Sequence, residues 1–411
     1  MTVTPFDSVT VNVSVAFTTA PFAAPSWTDI SAYVMSADIV PGGRQSTFDQ
    51  FSAGTLRVQL DGSDRRFDPV YASGAYQPNV RPRKKIKVEV TYNAITYPQF
   101  VGFIDAWPNI GEPSNHLGIV QVTATDGFKM LARNRLPNTG IAVGSGETVT
   151  ARIGRLLDYA GWPAADRDID TDSPTVTALV PAGQPIMDEL YTAANADLGQ
   201  IFIANDGKFT YRGHRWQLGN NLTSTATLGE NAGEIGYNQI TFSYDDTQIF
   251  NRAQAQGTFG PLLIAASLDV SDATSITAYG ESSRNLGTVT AVNQNVVQNT
   301  LEWTVANFKD PKLRADSVGI CRPTSTAAAT VYPVIFAAEN GTRWTLNRRP
   351  QNVGTLISQD VIIEAVSHSL TPDFWQSTFS LSQAPAAPDG GTYWRMGFGK
   401  WTTGTPSATW A

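Results

Sequence analysis

Four acids alternate at Asp166, Asp168, Asp170 and Asp172, a spacing that places carboxylates along one side of an extended segment or opens a calcium loop. A calcium loop also needs Gly at its sixth position and Glu at its twelfth, and those places hold Thr171 and Thr177. The acids therefore read as a solvated face. Five cations fall within Arg81-Pro82-Arg83-Lys84-Lys85-Ile86-Lys87, a run that could meet an anion. Arg81, Arg83, Lys84, Lys85 and Lys87 read either as solvated strand charge or as salt-bridged subunit contacts.

Cys321 is the one cysteine, and His116, His214 and His368 are the three histidines, far apart in sequence. That supply builds no disulfide framework, no cysteine zinc cluster and no histidine-rich metal site. Val318-Gly319-Ile320-Cys321-Arg322-Pro323 does not resemble an activated thiol, so Cys321 reads as buried filler. His368 sits in the alternating run Ile363–Leu370 and reads as a hydrogen-bonded strand residue. Gly280-Glu281-Ser282-Ser283-Arg284 comes nearest to a nucleophile elbow but lacks its last glycine. No phosphate-cradling Gly-x-x-x-x-Gly-Lys occurs. Glycoside cleavage needs two carboxylates roughly 5–9.5 Å apart, and among 36 acids some pair always qualifies. Ten tryptophans would suit sugar stacking. Trp27, Trp107, Trp303 and Trp375 stand beside patterned segments and read as core or interface anchors; Trp394, Trp401 and Trp410 lie in the C-terminal tail and read as exposed docking candidates. No catalytic residue, metal or cofactor is expected.

The elements that would position these groups are mostly strands. Leu56, Val58 and Leu60 share one face of Thr55–Leu60, and Ile86, Val88, Val90 and Tyr92 share one face of Lys85–Tyr92. Val120, Val122 and Ala124 make a third row. Pro41-Gly42-Gly43, Asp61-Gly62-Ser63-Asp64 and Gly111-Glu112-Pro113 punctuate, as in a meandering barrel or sandwich. Helical spacing then takes over from Thr148 to Ala160 and from Pro185 to Gly199. Ile201–Tyr211, centred on Asn205-Asp206-Gly207, reads as a hairpin. A second β-rich region starts near Glu234, a short helix is expected at Leu301–Phe308, and strands are expected from Leu313 to Leu381.

The fold class is thus mainly β with α+β inserts. The expected division is a first barrel-like β domain at 1–140 and an α/β insert at 141–233. A second β-rich region follows at 234–300. Residues 301–385 add a short helix and strands that complete a second barrel, and 386–411 form a Gly/Trp-rich docking tail.

The chain has 411 residues, enough for two to four domains, and a formal charge of −7 that disfavours wide nucleic-acid binding. Charged residues make up 16%, sparse against about 25% in an ordinary domain, which suits a surface covered by partners in an assembly. The first residues show no signal-peptide pattern and no apolar run approaches the roughly 18 residues of a membrane span, so a soluble, cytoplasmically made chain is expected, with no membrane insertion.

One ordered set of motifs carries a family likeness. Trp27-Thr28-Asp29-Ile30 leads through Tyr33-Val34 to Pro41-Gly42-Gly43-Arg44, then Ala53–Asp61 and Arg66-Phe67-Asp68-Pro69. Pro78-Asn79-Val80-Arg81-Pro82, Phe100–Trp107 and Ala124–Leu131 complete the block. Ser367-His368-Ser369-Leu370-Thr371-Pro372-Asp373-Phe374-Trp375 and Phe379-Ser380-Leu381-Ser382 follow near the C-terminus. This order resembles the minor tail proteins of long-tailed bacteriophages, specifically the baseplate-hub or tail-associated group. The resemblance implies a non-enzymatic virion protein with two barrel-like domains and smaller α/β domains. It implies three copies in a ring at the tail tip, whose six similar barrels meet a sixfold tail tube or distal tail ring. It further implies contact with tape-measure protein and distal tip proteins, and passage of DNA without specific binding at ejection. The alternative is a carbohydrate-binding tail-tip protein that meets the host envelope through exposed tryptophans. A cell-wall hydrolase is a third reading, without a diagnostic carboxylate motif.

Overall fold

A computed structural model describes residues 9–384 apart from 112–117, 172, 215, 217–220, 222, 261, 322, 324–326, 352 and 372–373. His116, Asp172, Trp394, Trp401 and Trp410, with the whole segment 386–411, therefore lie outside the described residues.

The first β region contains β1 (Thr10–Val15), β2 (Thr28–Asp29), β3 (Val34–Val40), β4 (Thr55–Asp61), β5 (Lys85–Tyr92), β6 (Ile95–Ala106), β7 (Asn109–Gly111) and β8 (Gly118–Thr125). The alternation read from sequence holds strictly in β5, where Ile86, Val88, Val90 and Tyr92 are buried and the residues between them are half-exposed. Two short helices, α1 (Gly127–Ala132) and α2 (Val149–Tyr159), then lead through β9 (Arg167–Ile169) to α3 (Ile186–Asn195), β10 (Gln200–Ile203) and β11 (Phe209–Arg212). The Thr148 hydroxyl caps α2 by accepting from Ala151 N, and Pro185 occupies the N-cap of α3. Gly207, at φ +87°, makes the Asn-Asp-Gly turn between β10 and β11.

The second half holds β12 (Thr227–Leu228), β13 (Gln239–Ser243), β14 (Arg252–Phe259), β15 (Ile264–Ser271), α4 (Ala273–Tyr279), β16 (Ser283–Val289) and α5 (Gln294–Phe308). It ends with β17 (Arg314–Cys321), α6 (Ala328–Ala337), β18 (Arg343–Arg348), β19 (Ile357–Thr371) and β20 (Phe374–Gln383). Two expectations change here. The helix expected at Leu301–Phe308 begins seven residues earlier, at Gln294. Residues 313–381 are not all strand, because α6 interrupts them. α6 is apolar on every side and carries Pro333, so it shows no helical period. It packs on the first β region, where Tyr332 meets Tyr92 and Phe336 meets Tyr97 with ring centroids 5.1 and 5.9 Å apart.

Strand pairing joins both β regions in one sheet, ordered β13-β17-β20-β19-β3-β4-β8-β6-β5-β1-β2, with β18 beside β19, β12 beside β18 and β7 beside β8. The two regions expected as barrels are thus two strand sets of one sheet; among the described residues neither closes by a continuous ladder. Three residue pairs, Ala37–Leu370, Asp38–Ser369 and Ile39–His368, join them. One apolar core runs through both sets, from Val13 and Ile86 to Trp344 and Phe379. A second core serves the α/β part together with a separate three-stranded sheet, β15-β14-β16, under α5. The region expected as one β stretch from Glu234 is therefore split: β13 belongs to the large sheet and β14–β16 do not.

Candidate functional site at the junction of the two β regions

The motif Pro41-Gly42-Gly43-Arg44 leaves β3 and enters the seam between the two sets. Arg44 points its guanidinium at Glu364 of β19, with Nη2–Oε1 at 3.0 Å and Nε–Oε2 at 2.5 Å. Side-chain exposures of 5% and 1% make this a buried bidentate pair. Ser382 of β20 donates to the same carboxylate at 2.6 Å, and Arg44 N donates to Glu364 O at 2.9 Å. The remaining face of the guanidinium lies over the Phe51 ring, 4.7 Å from its centroid.

Both glycines are required by close backbone approach. A Cβ on Gly43 would lie 2.7 Å from Cα of Ala365, and one on Gly42 would lie 3.0 Å from Gly54 N and strike Ser52 O. Asn340 donates its amide to Gly42 O, so the loop before β18 also grips this turn. Asp126, the N-cap of α1, accepts from Phe128 N at 2.9 Å and from Gly54 N at 2.5 Å. Burial raises its carboxyl to about 7, against the pull of those two N–H donors. Tyr191 of α3 donates to Phe51 O at 2.8 Å. One loop, residues 41–54, therefore holds β19, α1 and α3 together.

Behind the seam, His368 is buried, with Nδ1 2.8 Å from Ser377 Oγ and its ring between Trp375 and Phe379. Burial lowers its pKa to about 4, so it is neutral at neutral pH. A strand residue bonded through its ring is what the sequence suggested. A cavity of about 230 Å³ opens beside residues 44–51, lined among others by Phe48, Phe51, Tyr191, Arg284 and Trp303. Arg284 lies over Phe48 at 4.1 Å and donates to Phe48 O. These groups stack and anchor, and His214 joins them with its ring 4.7 Å from that of Trp303.

The cationic run is used largely within the chain. Lys85 pairs with Asp166 at 3.2 Å, which ties β5 to the α/β part, and Lys87 pairs with Glu89 at 2.6 Å beneath the Trp27 ring. Lys84 donates to Thr19 O, whereas Arg81 and Arg83 are exposed. Of the alternating acids, Asp168 pairs with Arg212 and Asp170 accepts from Gly213 N. Among the described residues no group of three His, Cys, Asp or Glu side chains converges as metal ligands. Cys321 ends β17 half-buried, less enclosed than expected, because it sits at the strand's end. Of the tryptophans read as anchors, Trp107 and Trp375 are buried, and Trp27 and Trp303 half-buried.

Arg44–Glu364 and Asn340–Gly42 were not visible in sequence, since 320 and 298 positions separate the partners. The Gly-Gly-Arg run was the one local sign of a tight approach.

No protein-family model matches the chain, and no curated protein sequence does. Solved structures do. A tail protein from Neisseria meningitidis MC58 superposes with a TM-score of 0.58 at 13% identity, covering 91% of this chain and 96% of that one. The 43 kDa tail protein of prophage MuSo2 from Shewanella oneidensis gives 0.54 at 10% identity, covering 92% and 99%. Likeness along nearly the whole length of both partners, at an identity too low to align by eye, is a likeness of backbone path. The chain has the fold of these phage tail proteins.

Proposed function

We propose that this chain is a structural, non-enzymatic component of a phage tail, the hub at the distal end of the tail tube. The observation that carries this reading is the single sheet in which two β sets are locked side by side by Arg44–Glu364. Each copy then offers two comparable walls, and three copies offer six, the number that meets a sixfold tube or distal tail ring. The fold likeness to two tail proteins over nine-tenths of the chain supports the same role.

In this reading the first set, residues 1–140, and the second, completed by 301–385, are the ring's walls. The parts at 141–233 and 234–300 are its outworks, and 386–411 is a docking tail. Arg81, Arg83, Lys84, Lys85 and Lys87 are subunit-contact candidates, with Arg81 and Arg83 the two whose side chains stay exposed. The ring closes the tube over tape-measure protein, links it to tip proteins and opens when they engage the host, letting DNA pass. Electron microscopy of tails carrying a tagged chain tests the position. Density at the distal tube end supports the proposal; a tag along the shaft or absent from particles overturns it.

A further inference from the structure

One guanidinium in the cavity beside residues 44–51 has no anion to balance it. Arg284 of β16 is half-buried and lies over the rings of Phe48 and Phe250, with Cζ 4.1 and 5.5 Å from their centroids. Its single hydrogen bond within the chain runs from Nη2 to Phe48 O at 3.2 Å. Its Nε is enclosed without an acceptor. Among the described residues no carboxylate stands at ion-pair distance from it, whereas Arg44, in the same lining, is held bidentate by Glu364. Asp49 is the one acid among the lining residues described, and its carboxylate accepts from Ser46 N at 3.0 Å. Burial pulls the Arg284 pKa down from its ordinary value, against the charge of Asp49.

A charged donor without an acceptor is costly where water is thinned, so the position favours an anion brought from outside. The cavity holds about 230 Å³. Sites for drug-sized molecules hold roughly 300–1,000 Å³, so this one has room for a single side chain. Gln50, Asn195 and Asn285 are exposed and bring amides to the lining, groups that pair with peptide N–H and C=O. We propose that the cavity takes one aspartate or glutamate side chain from an extended segment of a partner protein. Its carboxylate meets the Nη groups of Arg284, its methylene stem lies along Leu286 and Trp303, and its flanking peptide groups meet the exposed amides.

Charge decides which anion fits. One uncompensated positive charge calls for one negative, which a carboxylate supplies. A phosphate group carries about 1.5–2 negative charges at neutral pH and would leave an excess beside Asp49. The whole chain has a formal charge of −7 and repels a strongly acidic segment, so the fit is for one acid among neutral neighbours. The guanidinium is also held in advance. Phe48, on which it rests, packs on Phe308 and Trp303 with centroids 4.7 and 6.5 Å away, so little ordering is left to binding. This inference does not depend on the tail-hub reading.

Nuclear magnetic resonance of the arginine Nε–H groups in the full chain tests it, the Arg284 signal being identified by its loss in Arg284→Lys. The peptide acetyl-Gly-Ser-Glu-Ser-Gly-amide should move this signal saturably and leave the Arg44 signal in place, because Glu364 already holds that side chain. The glutamine version should bind about tenfold more weakly, since a charged acceptor is traded for a neutral one. Acetate, which makes no amide contacts, should also bind about tenfold more weakly. Asp49→Asn should tighten the glutamate peptide by about two- to fivefold, because a like charge is removed. The peptide comparison runs on the unaltered chain, so it holds even where a variant folds poorly. Equal affinity for acetate would assign the cavity to a free carboxylate and overturn the protein-partner proposal. Tighter binding of inorganic phosphate, an equal response to both peptides, or an Arg284 signal that does not move would overturn it too.

Discussion

Two strand edges in this molecule are treated in opposite ways. At the seam, β3 meets β19 over three residue pairs, and the contact is locked by a buried arginine–glutamate pair, two glycines and an asparagine. At β15 the edge is longer, built from small and aliphatic residues with the single charge of Asp269, and among the described residues it pairs on one side only. The difference shows two grades of joint. A seam made of desolvated charge cannot open without stranding an ion in the core, so it behaves as a permanent weld. An edge made of free N–H and C=O groups accepts a strand and releases it at little cost. The hub reading needs the first grade, because two β walls must act as one rigid piece.

The largest expected effect comes from cutting the weld. Glu364→Gln leaves Arg44 charged and half-paired in the core and should cost about 3–5 kcal/mol in urea denaturation. Replacing both, Arg44→Met with Glu364→Leu, should cost clearly less, since no orphan charge remains. A loss under about 1 kcal/mol for Glu364→Gln would show that the pair does not hold the seam.

Titration sharpens the comparison next. The folded chain holds the His368 pKa near 4, and the unfolded chain returns it to about 6.5. Between these values the unfolded state binds more protons. The stability contribution is therefore full above pH 6.5 and is lost as pH falls toward 4, on the order of 3 kcal/mol in all. Asp126 runs the other way: its pKa, raised to about 7, gives a contribution present below about pH 4 and lost as pH rises through 7. His368→Gln should flatten the acid limb of stability against pH, and Asp126→Asn the limb from 4 to 7. Parallel curves in both variants would remove these two groups from the account.

Gly43→Ala should destabilise by about 1–3 kcal/mol, because the added methyl meets the β19 backbone. A neutral result in thermal denaturation would mean the seam has slack. The smallest effect belongs to Lys85→Ala, below about 1 kcal/mol, as its pair with Asp166 is partly exposed. A loss above 2 kcal/mol would promote the cationic run from surface charge to a second weld.

How much of this was legible in sequence follows from distance along the chain. The alternation of Lys85–Tyr92, the capped helix after Thr148 and the Asn-Asp-Gly hairpin are local, and each formed where its pattern lay. α6 was missed because its outward side, with Ala329, Pro333, Val334 and Ala337, is nearly as apolar as its buried side, which leaves no polar face to mark its period. Pairing of Ile39 with His368 was hidden, because no local rule links strands more than 300 residues apart. Gly42 and Gly43 showed that backbones come close, without showing to what.

The central claim, that these β sets are walls of a ring with no reaction to perform, is tested most directly by counting copies. Quantitative mass spectrometry of purified tails, calibrated against a tail protein of known copy number, should return three copies of this chain per tail. One copy per tail would contradict it.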